Sequence, residues 1–260
     1  MSKGKAIVDI VRGPGLVGHE TAGEYDFLYR ASSVKDPKWD IGDRVALPDG
    51  RVYRYGLAVN SIEPGRGLKF SGNIASDGVS GNVNRAQAVG DKELRWASET
   101  FLKDELKGGY VIVFGGSNSY QQFGVIGNTA CSASELTVYL DRAITTDVGS
   151  TQFAEILPNP YRYLKQEYNY YMSHAGVGMS YPTAGQYFWI QTWGPCWINN
   201  GPYGQGAETS ERDVLFNGDG SLRNMAEWDV IVGNNKAGFI ITATSNGNDA
   251  VSFIMLQINP

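Results

Sequence analysis

The sequence of this chain predicts an all-β fold: a β-barrel or sandwich body with long loops or an extended arm and at most one or two short helices. Three observations carry that expectation. Short alternating or apolar runs recur with turn residues between them at roughly 8–12-residue spacing, the pattern of a β-meander. Glycine is abundant, at 33 of 260 residues, and 15 Tyr, 10 Phe and 6 Trp supply side chains that favour pleated, half-buried surfaces. No regular alternation of strands with long helical patterns follows, so a parallel α/β sheet is not indicated.

Residues 5–11 (Lys-Ala-Ile-Val-Asp-Ile-Val) read as a first strand ended by Arg12-Gly-Pro-Gly, and residues 24–31 read as strand-like again. The clearest local signal is a hairpin, with Arg44 to Leu47 as one strand, Pro48-Asp49-Gly50 as the turn and Arg51 to Tyr55 as the partner. Proline presets φ for the turn, and Asp-Gly supplies the positive-φ positions a hairpin needs. On the return strand Val52 and Arg54 face one side, and Arg51, Tyr53 and Tyr55 the other. Residues 60–90 are rich in Gly, Asn and Ser and read as an extended arm centred on 71–82, lying on a neighbouring subunit or forming a surface loop.

Glu93 to Ala97 reads as a strand. Ser98 to Lys107 reads as a short helix, with Phe101, Leu102 and Leu106 at helical spacing and Gly108-Gly109 as its stop. Strands follow at 110–114, 120–126 and 135–141. Residues 158–171 then pack five tyrosines into a short polar stretch. In the next strand, Tyr187, Trp189, Gln191 and Trp193 share one face, while Phe188, Ile190 and Thr192 share the other and line a core. The first face reads as a subunit contact, a second buried layer or a sugar-binding platform. Closing strands are expected at 213–216, 228–232, 237–244 and 251–258. This reading divides the chain into an N-terminal β region, residues 1–90 with the hairpin 44–55 and the arm 60–90, and a main β domain, residues 91–260.

The chemistry-bearing residues are few: 2 His and 2 Cys in the whole chain. Enzymes most often use a group that titrates near neutral pH, usually His. His19 and His174 have no acid–nucleophile pattern beside them, so no catalytic residue, cofactor or metal is assigned and the chain is expected not to be an enzyme. Cys131 and Cys196 are too far apart in sequence for a metal-type pair and read as two buried free thiols, with a disulfide between them as the alternative. Gly13-Pro-Gly-Leu-Val-Gly18 matches a dinucleotide fingerprint in letters, but no helix opens at its third Gly. Asn217-Gly-Asp-Gly-Ser221 clusters oxygen side chains like a calcium loop, yet the spacing fails and a hairpin turn fits better. Glu208, Glu211 and Asp213 are the one acidic group a glycan hydrolase could use. A net charge of -5 argues against a nucleic-acid partner, and no apolar run reaches the ~20 residues of a membrane span.

Several phrases carry a resemblance to a family. Ile41-Gly-Asp-Arg-Val-Ala-Leu-Pro-Asp-Gly-Arg-Val-Tyr-Arg-Tyr, Gly109-Tyr-Val-Ile-Val, Gly127-Asn-Thr-Ala, Leu136-Thr-Val-Tyr-Leu, Pro158-Asn-Pro-Tyr and Thr183-Ala-Gly-Gln-Tyr-Phe-Trp-Ile-Gln-Thr-Trp-Gly-Pro resemble, in the same order, structural proteins encoded near the major capsid gene of tailed bacteriophages. The likeness covers roughly residues 40–200. It implies a virion protein, made in the host cytoplasm, most like the head decoration (cement) proteins. Its partners would be the major capsid protein and further copies of itself, with a trimer favoured; the rival within the same group is a tail or receptor-binding component that recognises host glycan. The interface residues expected on this reading are Asn73, Ile74 and Val79 of the arm, Tyr161, Tyr163, Tyr168, Tyr170 and Tyr171, and Trp193 and Trp197.

Overall fold

The computed structural model describes residues 25–70, 78–114, 120–169, 172–201, 212–224, 235–242 and 251–260. The chain is all-β, as expected, and its one described helix is a single 3-10 turn. It forms two compact units. The first takes residues 1–71 and 161–260, and the second is the contiguous stretch 72–160. The boundary expected near residue 90 therefore falls inside the second unit. The strand expected at 5–11 lies outside the described residues.

The first unit is an antiparallel sheet of ten described strands. They are β1 (Arg44–Ala46), β2 (Val52–Leu57), β3 (Gly67–Phe70), β10 (Leu164–Lys165), β11 (His174–Gly178), β12 (Tyr187–Asn199), β13 (Asp213–Phe216), β14 (Leu222–Asn224), β15 (Lys236–Thr242) and β16 (Val251–Gln257). The β1–β2 hairpin forms where the turn residues place it, with Arg44 opposite Arg54 and Ala46 opposite Val52. Leu47 N–H donates to Arg51 O at 2.8 Å, and Gly50 takes the positive φ of 87°.

Strand β12 is the spine. Its first half pairs with β2 and β11, and its second half pairs with β16. A bulge at Gln191–Trp193 makes the change, and the Gln191 amide holds it by donating to Trp193 O at 3.1 Å and Pro195 O at 2.8 Å. Gly194 has φ +92°, and a Cβ there would stand 2.7 Å from Gly50 O and 2.8 Å from Arg51 Cα. Gly194→Ala is therefore expected to cost about 2 kcal/mol or more in chemical unfolding. Gly81→Ala, where a Cβ meets nothing within 4 Å, is expected to stay within about 0.5 kcal/mol.

Both faces of the first half of β12 are covered. Phe188 and Ile190 pack with Leu68, Leu164 and Ala175, while Trp189 packs with Val45, Tyr53, Tyr55 and Leu28. The first aromatic face is thus a second buried layer as far as Gln191. Leu28 is delivered by the 3-10 turn Asp26–Tyr29, where a strand was expected. Segment 25–31 turns back on itself, Leu28 N–H donating to Tyr25 O, and sheet pairing begins only at Ser32 opposite Tyr187.

The second unit holds β4 (Val79–Asn82), β5 (Glu93–Phe101), β6 (Tyr110–Phe114), β7 (Gln121–Asn128), β8 (Cys131–Leu140) and β9 (Phe153–Leu157), in the order β4-β9-β6-β7-β8-β5. Just beyond β4, Asn84 N–H donates to Arg95 O of β5 at 2.6 Å, which draws the two outer strands together and bends the sheet towards a barrel. Alternate residues fill the inside: Val79, Leu94, Trp96, Val111, Val113, Phe123, Val125, Leu136, Val138, Ala154 and Ile156 are all buried.

Two expectations are corrected here. Residues 78–90 are not an arm laid on another subunit: Val79–Asn82 pairs with Phe153–Leu157 in its own unit, because Val79 and Val83 alternate into the core. Ser98 to Lys107 is not a helix either. Strand β5 continues to Phe101 through two bulges against β8, with Ser98 at φ 60°, and turns follow. Buried Asn128 holds those turns by accepting from Leu106 N–H at 2.8 Å and donating to Leu102 O at 2.9 Å.

Candidate functional site

Beyond the bulge, β12 buries one face only. Cys196 and Ile198 point inward with Ile254, Leu256, Ile240, Val214 and Phe216. Alternation therefore sends Trp193, Pro195 and Trp197 to the opposite face. The register then sets their neighbours. Trp197 stands opposite Phe253 and Pro195 opposite Met255 across β12–β16, and Phe239 stands opposite Met255 across β15–β16. The Trp197 and Phe253 rings lie 4.8 Å apart. Alternation with Phe239 sends Ile241 outward as well, and a bulge between Ile240 and Thr242 then brings Thr242 opposite Phe253. The exposed members are Trp197 at 49 %, Ile241 at 44 %, Phe239 at 39 % and Val251 at 37 %. Charge stays at the edge, where Lys236 Nζ meets Asp213 Oδ1 at 3.1 Å.

This face is a contiguous apolar patch built on paired strands. Such patches on soluble domains mark surfaces that are buried on association, and Trp is the residue most often found at their energetic centre. Sequence reasoning found Trp193 and Trp197 but missed Phe239, Ile241, Val251, Phe253 and Met255. The alternation Val251-x-Phe253-x-Met255 was a usable signal, since a strand with apolar residues on both faces is covered on both sides.

The other expected interface residues are placed differently. Val79 and Tyr161 are buried in their own units, and the Tyr161 hydroxyl accepts from Asn259 Nδ2 at 2.9 Å. Tyr163 is half-buried beside the Arg162 guanidinium, 5.7 Å from its ring centre. Tyr168 is 69 % exposed. Asn73, Ile74, Tyr170 and Tyr171 lie outside the described residues, as do His19, Glu208, Glu211 and the Gly13–Gly18 phrase.

The titratable groups are built into the fold. Cys131 and Cys196 are free thiols, and burial pushes the Cys196 thiol up to about 12, which keeps it protonated and inert. Asn217-Gly-Asp-Gly-Ser221 is the β13–β14 turn, closed by Asn217 N–H to Ser221 O at 2.7 Å, with Asp219 paired to Arg66 at 3.0 Å. The Gly218 carbonyl of this turn accepts from the ammonium of buried Lys69, which also donates to Glu167 O at 2.8 Å and to Asn169 O. Beside it, His174 stacks on Phe216 at 4.4 Å. Among the described residues no cluster of three or more His, Cys, Asp or Glu has metal-binding geometry, and no helix is long and apolar enough to cross a membrane.

Against known proteins, no family model matches the chain, and comparisons with curated proteins and with solved structures find no match.

Proposed function

We propose that this chain is a structural protein that works by burying the β12–β16–β15 face, and that it decorates the outside of a bacteriophage head, bridging shell subunits as a closed homo-oligomer. The observation that carries the reading is the Trp197–Phe253 pair on an apolar sheet face whose described charges, Lys236 and Asp213, stand at its edge. A shell protein gains from a stiff β body, because strain is transmitted through packed sheets rather than absorbed by loops. It gains also from a pre-ordered contact surface, because little entropy is lost on docking. The support for the head as the place of assembly is the resemblance of the sequence phrases to capsid-adjacent phage proteins.

Light scattering and co-sedimentation with empty capsids test the proposal. The wild-type chain is expected to form a closed oligomer, a trimer on this reading, and to pellet with capsids. Trp197→Glu combined with Phe253→Glu is expected to weaken association by at least about 100-fold, since it places charge at the centre of the buried patch. Its folded core is unaffected, because both side chains point away from it. A wild-type monomer that ignores capsids, or a double variant that assembles as well as wild type, overturns the reading.

A further inference from the structure

We propose that Arg44 and Arg54 form a clamp for an oxyanion on the β1–β2 hairpin. The two residues are directly opposed in antiparallel register, so their side chains leave the same face of the ribbon. Their Cβ atoms are then about 4.5–5.5 Å apart, and like charges held at that spacing repel. Several other arginines meet carboxylates: Arg51 meets Asp49 at 2.7 Å, Arg66 meets Asp219 at 3.0 Å and Arg95 meets Glu135 at 3.2 Å.

No described carboxylate answers Arg44 or Arg54. Arg54 has one hydrogen bond, from Nη1 to Gly42 O at 3.2 Å, and its guanidinium carbon lies 5.8 Å from the centre of the Tyr161 ring. The Nε atoms of both arginines are shielded from solvent and have no acceptor. A buried donor without an acceptor in a native fold calls for an explanation, and a bound ion is one of the few available. Arg66 and Arg162 also carry a shielded Nε without an acceptor, but only Arg44 and Arg54 are direct cross-strand neighbours, so one anion between the strands can serve both.

The arrangement fits an oxyanion in particular. A guanidinium presents a rigid planar fork that matches the oxygens of a carboxylate or a phosphate. The floor is firm, because Tyr161 is buried and its hydroxyl is held by Asn259, so the Arg54 fork is pre-positioned. The chain carries a net charge of -5, so long-range attraction does not bring the anion in and binding relies on the local pair. A phosphate group and a carboxylate share this chemistry, and the experiment separates them. The site is independent of the head-decoration reading, since the assay uses the isolated chain.

Thermal unfolding is followed at constant ionic strength in chloride, with inorganic phosphate or acetate titrated in. Phosphate, acetate or both are expected to raise Tm saturably, by about 2–4 °C at roughly ten times Kd. A response to phosphate alone assigns a phosphate-group ligand, and a response to acetate alone assigns a carboxylate. The shift is expected to vanish in Arg44→Met and Arg54→Met and to shrink in Arg54→Lys, which keeps the charge and loses the fork. In chloride alone Arg44→Met is expected to melt at or above wild type, because the repulsion between the two charges is gone. The proposal is overturned if neither anion acts beyond chloride, if the shift survives in both Met variants, or if Arg44→Met melts below wild type in chloride.

Discussion

Lys69→Met is expected to lower the stability of the first unit by about 3–5 kcal/mol, because it leaves buried carbonyls without a donor. The side chain is wholly buried on β3, and its ammonium is shared by the carbonyls of Glu167, Asn169 and Gly218. Those acceptors come from two stretches distant in sequence, the segment after β10 and the β13–β14 turn. One cation therefore ties three parts of the sheet together. Burial lowers the Lys69 pKa to about 8, with Glu167 and Asp219 opposing the fall, so the ammonium remains the main form at neutral pH. Methionine keeps most of the volume and none of the donors. Each orphaned carbonyl costs about 1–3 kcal/mol, and partial rearrangement of the turn recovers some of the sum. Urea unfolding followed by tryptophan fluorescence reads the change, and a loss under about 1 kcal/mol would show that the three carbonyls find water instead.

How far the fold could be read from the sequence depends on the range of the interactions that set each element. The β1–β2 hairpin was legible because Pro48-Asp49-Gly50 settles its own geometry within three residues. Strands β6, β12 and β16 and the second half of β8 were legible because each alternates or runs apolar, whereas Cys131–Ser134, which reads as a connection, is carried into β8 by pairing with β5. The helix expected at 98–107 failed because its apolar spacing competes with a partner strand distant in sequence: β8 continues to pair with Glu99 and Phe101, and tertiary pairing outweighs a weak local preference. The Val79–Asn82 end of the expected arm failed in the same way, since it has poor strand composition and is ordered by β9. Trp193 and Trp197 were found by residue type, but the face they belong to is assembled by register with β16 and β15, which no local pattern encodes. Lys69 gave no signal at all, because its three acceptors are backbone carbonyls brought in by chain topology.

Acidification from pH 6.5 to pH 4 is expected to remove about 3 kcal/mol of stability through His174 alone. Its pKa is lowered to about 4, first by burial and then by the nearby Lys69 charge, against an opposing hydrogen bond with Asn235. The geometry explains why the proton is unwelcome. Asn235 Oδ1 accepts the His174 backbone N–H at 2.8 Å and lies 3.1 Å from Nδ1, so the network assigns the single ring proton to Nδ1. Nε2 is buried and has no partner, so a second proton there meets no acceptor. Unfolded, the same ring titrates near 6.5. Between about 4 and 6.5 the unfolded chain therefore binds more protons, and stability must fall as pH falls through that window. His174→Leu removes the titrating group while keeping an apolar side chain against Phe216. Its urea midpoint is expected to stay flat from pH 6.5 to 5, above the range where carboxylates take over, while that of wild type declines. Equal slopes in the two proteins would remove His174 as the cause. Because His174 pairs with Lys69 across β11–β3, one protonation places two positive charges on the strand pair that Lys69 anchors, so acid acts on the same joint that Lys69→Met breaks.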